Sequence, residues 1–355
     1  MDPVIITATL LLLGMGFAAI YSAVTPSGQT ALTYQMAKQF FAAGVGAAAA
    51  IAAAALSYRR LLRGAYAFYA LSLLLLVLVL LVGRHGGGAQ RWLRIGPVNL
   101  QPSELAKIAT VAVLARWLGD LGGNVRVRDT LVAVALAALP AGLIAVQPDL
   151  GTALVLMPAV FVCLMVAGAR WTHLGTLALA AAACVPVGFR FLRDYQIDRL
   201  LVFIDPGRDP AGTGYAVVQS KIALGAGGWF GQGWRAGTQS QLNFLPEHHT
   251  DFIFPVLGEE WGFLGACLVL AVYLLLLLRC ARVAATASDS AGRVLAAGLT
   301  CVLAVQVIVN VAMSAGLAPV VGLPLPFMSY GGSALLAALV CVGLLVNVAM
   351  RRRVY

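Results

Sequence analysis

Apolar residues dominate stretch after stretch of this chain at about the length of a membrane crossing, and the polar residues are swept into the gaps between them. Stretches of that length fall near residues 4–24, 38–57, 65–83, 103–119, 129–147, 149–168, 173–192, 252–280, 293–316 and 329–350. About 20 predominantly apolar residues carry a helix across the hydrocarbon, so the pattern predicts about ten transmembrane helices in an all-α polytopic membrane protein. The first stretch has no basic leader and full spanning length, and it reads as a retained span, not a cleaved signal peptide.

Two gaps are long, 84–102 and 193–251, and a shorter one lies around 317–328. The segment 193–251, between the seventh and eighth predicted helices, exceeds the usual length of a structureless connection. Within 215–224, Val217, Val218, Ile222 and Ala223 alternate with Gln219, Ser220 and Lys221, which predicts a short interfacial helix. Asp205-Pro206 and the run from Asp209 through Pro210, Ala211 and Gly212 mark tight turns around it. No repeat or low-complexity segment divides the chain, which is read as one membrane domain over 1–355.

Mean hydropathy is +0.90 and charged residues make up 11% of the chain, which excludes a soluble globular protein. The net charge of +10 is carried by scattered arginines, not by one basic face, so it argues for orientation in an anionic membrane and against nucleic acid. Arg59, Arg60, Arg63, Arg116, Arg126, Arg128, Arg170, Arg279, Arg282, Arg293 and Arg351 to Arg353 fall in alternate short connections. The orientation rule then places both termini in the cytoplasm and the long gaps outside. Cys163, Cys184, Cys267, Cys280, Cys301 and Cys341 lie within or at the ends of apolar runs, where cysteine acts as a small hydrophobe, and no disulfide framework is implied.

Polar chemistry concentrates in the predicted outer segments. Glu247, His248, His249, Thr250 and Asp251 crowd the mouth of the eighth span in a chain with only 14 acidic residues. Carboxylates beside a membrane persist where they pair, face water or react, which makes Asp251 the first candidate for chemistry; the alternative is a cap for the helix opening at Phe252. Adjacent His248 and His249 diverge by about 100° on a helix and do not form a zinc pair. Glu104 and Lys107 share a helix face and can neutralise one another, with Ser103 capping that helix as the structural alternative. Asp149, in a sharp turn after Gln147-Pro148, is expected to cap the sixth span. Glu259 and Glu260 lie beyond Pro255, where a kink is expected, and can serve simply to bond neighbouring helices. Arg91, Arg190, Arg193, Arg199, Arg208, Lys221 and Arg235 fall outside without an orienting duty. They are either solvated loop residues or contacts for a phosphate-bearing substrate, whose oxygens a guanidinium matches bidentately.

Taken together, Gly88-Ala89-Gln90-Arg91-Trp92, Gln101-Pro102-Ser103-Glu104, the block ending Leu245-Pro246-Glu247-His248-His249-Thr250-Asp251-Phe252-Ile253-Phe254, and Pro324-Leu325-Pro326-Phe327-Met328-Ser329-Tyr330-Gly331-Gly332-Ser333 resemble the signatures of the SEDS family (shape, elongation, division and sporulation proteins) over nearly the whole chain. The resemblance implies a ten-span peptidoglycan glycosyltransferase that polymerises lipid II at the outer face of the bacterial inner membrane. Short predicted tails are more similar to the elongation members, of RodA type, than to the division members, and imply a role in rod shape. The family's essential aspartate maps onto Asp251 and its loop histidine onto His249. Ala216 and Val321 depart from the family's usual glutamine and threonine and bear on loop packing or substrate contact.

Candidate substrate contacts are Arg91, Gln101, Glu104, Lys107, Arg199, Arg208, Lys221, Glu247, His249 and Ser329. Asp251 would take the proton of an attacking sugar hydroxyl, and because diphosphate leaves as a stable anion no general acid is required, unlike glycoside hydrolysis. Cations, or a magnesium or manganese ion bridging diphosphate and a carboxylate, would neutralise the leaving group; no organic cofactor is expected. Implied partners are lipid II, a class B penicillin-binding transpeptidase and other membrane proteins of the elongation complex. A lipid II flippase and a non-catalytic scaffold for the transpeptidase are the competing classes. Alternating access would favour charged sites at the midplane of related halves, and scaffolding would not require Asp251.

Overall fold

The computed structural model describes residues 2–25, 33–86, 89–95, 98–190, 194–209, 212–242 and 244–351. Gly88, Arg193, Pro210, Ala211, Arg352 and Arg353, singled out above, lie outside the described residues. In chain order the helices are α1 (Pro3–Val24), α2 (Tyr34–Ala55), α3 (Tyr58–Arg63), α4 (Ala65–Val82), α5 (Pro102–Gly119), α6 (Val127–Val146), α7 (Leu150–Val166), α8 (Trp171–Phe189), α9 (Asp194–Ile204), α10 (Thr213–Ala226), α11 (Thr238–Gln241), α12 (Ile253–Ala285), α13 (Ser290–Ser314) and α14 (Gly332–Met350).

Each apolar stretch of the sequence holds one long helix. Among the described residues seven of them, α1, α2, α4, α6, α12, α13 and α14, are long and apolar enough to cross a membrane. Of the other three, α7 has 17 residues, α8 runs for 19 residues without an Asp, Glu, Lys or Arg, and α5 carries Glu104, Lys107 and Arg116. Yet α5 is buried along nearly its whole length against α4, α13 and α7, so protein and not lipid surrounds Glu104 and Lys107, while Arg116 near its end pairs with Asp120 at 3.4 Å. Helices α13 and α14 are also largely buried, and α2 packs along α14, which puts the centre of the bundle at α5, α13 and α14.

The fold is mostly helical, and the all-α expectation needs one correction. Strands β1 (Arg84–Gly86), β2 (Ala89–Ile95) and β3 (Val98–Leu100) form an antiparallel sheet in the order β1-β2-β3, pairing Arg84 with Trp92 and Leu93 with Leu100. β1 and β3, of three residues each, are too short to show an alternation, and in the seven-residue β2 the order Gln90-Arg91-Trp92-Leu93-Arg94 does not alternate. The helix expected at 215–224 is present as α10, whereas α9 and α3 were not anticipated.

The kink expected at Pro255 is elsewhere. Pro255 is the third residue of α12, where a missing N–H costs no intrahelical bond, and the break falls at Gly262 with φ of 70° and ψ of −170°. Backbone from residues 228–233 is inserted at the break. Phe263 and Leu264 donate to the carbonyls of Gly228 (2.8 Å) and Trp229 (3.2 Å), and Gln232 and Gly233 donate to those of Glu259 (2.9 Å) and Glu260 (3.1 Å). A Cβ at Gly262 would come within 2.3 Å of the Gly231 nitrogen, so only glycine permits the approach.

Candidate functional site

Asp251 is held by a tight turn at the mouth of α12. Glu247 takes φ of 48°, and its carbonyl accepts from the amides of Thr250 (3.1 Å), Asp251 (3.1 Å) and Phe252 (3.3 Å). The N-cap of α12 is Phe252 with no side-chain cap bond, so Asp251 is not the helix cap. Its main chain is fixed from the opposite side by Asn310 of α13, whose Nδ2 donates to the carbonyls of Asp251 (3.0 Å) and Leu323 (2.7 Å). No described residue hydrogen-bonds to the Asp251 carboxylate. Burial, reinforced by Glu247, pushes this acid up to about 6, with Arg199 opposing, Asp149 adding and Arg91 opposing. Five side chains spread over 160 positions of sequence therefore share one electrostatic neighbourhood.

The expected cap at Asp149 is present, its carboxylate accepting from the Thr152 amide at 3.3 Å. The same carboxylate receives Gln101 Nε2 at 3.2 Å and lies 3.8 Å from Arg91, whose guanidinium also donates to the carbonyls of Gln147 (3.2 Å) and Pro148. Arg91 from β2 and Gln101 at the head of α5 are thereby clamped to the turn before α7. Ser103 does not cap α5; Gln101 occupies the N-cap, and the Ser103 hydroxyl is buried with no hydrogen-bond partner. One turn further, Lys107 Nζ meets Glu104 Oε1 at 2.8 Å, both side chains almost fully buried.

On the other flank, the His249 ring lies 5.4 Å from His248 and 5.5 Å from Tyr330, and its carbonyl accepts from the Tyr330 amide at 2.9 Å. Burial and then His248 push His249 below its ordinary value, against an opposing effect of Glu247. Both ring nitrogens of His248 contact carbonyls, of Leu245 at 2.8 Å and of Ala23 at 3.0 Å, so it braces the turn against the end of α1. Ser329 is buried with its hydroxyl accepting from the Leu325 amide at 2.8 Å, which fixes the turn before α14. Gln39 of α2 ties this turn down, donating to the Ser329 carbonyl (3.3 Å) and accepting from the Gly331 amide (3.2 Å).

Beside this turn lies a cavity of about 510 Å³ whose walls combine Lys38, Gln39, Thr250 and Ser333 with apolar Phe41, Val45 and Leu336. Tyr330 and Thr250, the residue before Asp251, also line it. Sequence reasoning missed Lys38, Gln39 and Asn310. Gln39 and Asn310 had a visible signal, a polar side chain inside an apolar stretch, whereas Lys38 stood at the edge of one.

The three cations proposed for diphosphate separate. Arg199 of α9 lies near Asp251, its guanidinium donating to the Val320 carbonyl at 3.4 Å. Arg208 pairs with Asp205 at 3.8 Å on an exposed surface. Lys221 of α10 leans on Gly316, where a Cβ would meet its side chain at 2.0 Å. Glu259 accepts from Thr238 Oγ1 (3.2 Å) and the Gln239 amide (3.0 Å), and Glu260 accepts from Ser22, so both acids tie helix α12 to its neighbours.

Among the described residues no group of three or more His, Cys, Asp or Glu side chains is arranged to hold a metal ion. A magnesium ion that keeps its waters and shares diphosphate oxygens needs only one or two carboxylates, and Glu247, exposed beside Asp251, fits that smaller demand.

The FTSW_RODA_SPOVE family model, described as a cell cycle protein, matches residues 3–354. The peptidoglycan glycosyltransferase MrdB of Escherichia coli K12 is 44% identical over 286 residues, which cover 80% of this chain and 77% of that protein. A chain of a peptidoglycan synthase complex, solved for its coordination of polymerization and crosslinking, aligns with a TM-score of 0.85 at 36% identity over 99% of this chain and 98% of its own. The rod shape determining protein RodA of Thermus thermophilus aligns with a TM-score of 0.73 at 34% identity over 98% and 96%.

Proposed function

This chain belongs to the FtsW, RodA and SpoVE family of cell cycle proteins and is a peptidoglycan glycosyltransferase of RodA type, and we propose that it polymerises lipid II for cell elongation with Asp251 as the general base. In this reading its ten long helices form the membrane domain in the bacterial inner membrane, both termini are cytoplasmic and the Asp251 turn faces outward. Cations concentrated in the inner connections support that orientation.

Asp251 carries the reading. A carboxylate to which no described residue donates a hydrogen bond, raised to about 6 and next in sequence to the wall of a cavity, is a proton acceptor poised near working pH. The 4-hydroxyl oxygen of the acceptor sugar attacks the anomeric carbon of the donor while its proton passes to Asp251. The bond from that carbon to diphosphate breaks, its electron pair leaves with undecaprenyl diphosphate, and direct displacement inverts the anomeric centre. Arg199 and Arg91, the cations that act on Asp251, would offset the charge that develops on the leaving group. A divalent ion, where bound, would share that neutralisation, with Glu247 as its protein carboxylate. Polar Lys38, Gln39 and Ser333 suit a sugar diphosphate headgroup, and Phe41, Val45 and Leu336 suit the first units of its isoprenoid tail.

The structural relative's synthase complex supports a penicillin-binding transpeptidase as partner of this chain. The deciding experiment is glycan-strand formation from purified lipid II by the purified chain, with and without its cognate transpeptidase. Strands formed by the parent and absent with Asp251→Asn uphold the reading, and strand synthesis that does not need Asp251 overturns it.

A further inference from the structure

Trp229, Phe230 and Trp234 stand 67%, 82% and 56% exposed on the backbone segment that is locked into the break of α12, an uncommon outlay of large aromatic surface. The Trp229 ring packs edge-on against Phe263 at 5.2 Å, the first residue after the break, and Trp234 stacks on Tyr21 of α1 at 6.0 Å. The patch is thus fixed at the level where α1 ends and the second part of α12 begins.

That level is set by length. The part of α12 after the break, 263–285, measures about 34 Å at about 1.5 Å per residue, enough by itself to cross a hydrocarbon core of about 30 Å. Residues 253–261, with the Asp251 turn ahead of them, are then surplus to the span and lie beyond it. Below the break the span shows exposed Leu264, Leu268 and Leu275 to the bilayer, and Phe263, against which Trp229 packs, is exposed as well. Indole rings, with an apolar body and a polar N–H, favour the headgroup region.

We propose that the 227–234 segment is a bilayer anchor, with Trp229, Phe230 and Trp234 seated in the lipid headgroup region on the side of the membrane where Asp251 lies. The anchor holds more than itself. Glu259, beside the break, caps α11, and Gln241 of α11 donates to the Ser22 carbonyl at 2.9 Å, so the anchor sets the height of the connection leading into the catalytic turn.

The test uses the full chain in nanodiscs of phosphatidylcholine brominated on the acyl carbons nearest the headgroup. The fraction of tryptophan emission lost to bromine should be larger in the parent than in the double variant W229F/W234F, because the other four indoles are common to both. Phenylalanine keeps the apolar ring, so the fold survives the replacement. Phe230→Ser, which removes no indole, should shift the emission to the red as Trp229 becomes wetter. Equal fractional quenching in parent and double variant, or quenching of these two indoles by aqueous iodide instead, would place the patch in water and overturn the anchor.

Discussion

The Lys107 ammonium and the Glu104 carboxylate meet at 2.8 Å inside α5, each with almost no exposed surface, at the centre of a bundle packed mainly with apolar side chains. Removing one partner of a buried ion pair strands the other, typically at about 3–5 kcal/mol, whereas removing both is far cheaper. Glu104→Gln and Lys107→Met should therefore each lower thermal stability, and the double replacement should cost clearly less than the two singles summed. Strict additivity in that double-mutant cycle would mean that the pair does not interact.

Asp251→Asn should abolish strand synthesis and yet stabilise the protein at neutral pH. The carboxylate is raised from the ordinary range to about 6, so its ionised form is disfavoured in the fold; the contribution to stability is present below about 4 and lost as pH rises through about 6. The amide carries no charge, and at pH 7 the variant should gain on the order of 1–3 kcal/mol, the advantage vanishing in acid. Melting temperatures of parent and variant at pH 7 and pH 4 check this; an unchanged difference between the two pH values contradicts it.

Polymerisation should climb with pH through about 6 and level off above it, since only ionised Asp251 accepts the proton. Arg199→Gln removes a charge that holds the acid down, so the rising limb of the kcat/KM profile should move to higher pH. A limb that stays in place would detach Arg199 from the acid.

Arg199 and Arg208, close in sequence, should differ in consequence. Arg208 is paired with Asp205 on an exposed surface, where such bridges contribute about 0–1 kcal/mol, and Arg208→Gln should leave lipid II binding and turnover near the parent's. Arg199→Gln should weaken both, by tenfold or more if its contact with diphosphate is charge-assisted, an interaction of about 1.5–3 kcal/mol. Titration of both variants with lipid II settles the order, and equal behaviour would count against Arg199.

Asn310→Leu should slow turnover through position, not through contact. Its amide joins the carbonyls of Asp251 and Leu323, and without it the buried Leu323 acceptor loses a donor at about 1–3 kcal/mol and the part-buried Asp251 acceptor at less. The expected signature is a lower kcat at little altered KM together with a lower melting temperature. Rescue by Asn310→Gln would not be expected, because the longer side chain cannot reach both carbonyls from the same backbone position.

The helices were legible because the bilayer leaves the backbone no other way to satisfy its hydrogen bonds, so each apolar stretch of the sequence became one helix of nearly the expected bounds. The Glu104–Lys107 pair was legible, and Asp251 stood out as a candidate, for a related reason: charge is costly near lipid, and in an apolar chain it pairs, meets water or reacts. His249 was singled out only by the family's motif. Local spacing went no further. It placed a kink at Pro255 and a cap at Ser103, because proline and serine have strong local preferences; whether they are exercised depends on a helix register that sequence leaves free by a residue or two. Only tertiary structure decided that Gly262 breaks α12, since the cause is the approach of Gly231 from another segment. It alone set Arg199 and Arg91 about Asp251, left Arg208 paired in solvent, and brought Lys38 and Gln39 to the cavity wall, because charges interact through distance in space and burial, neither of which is written in the order of residues.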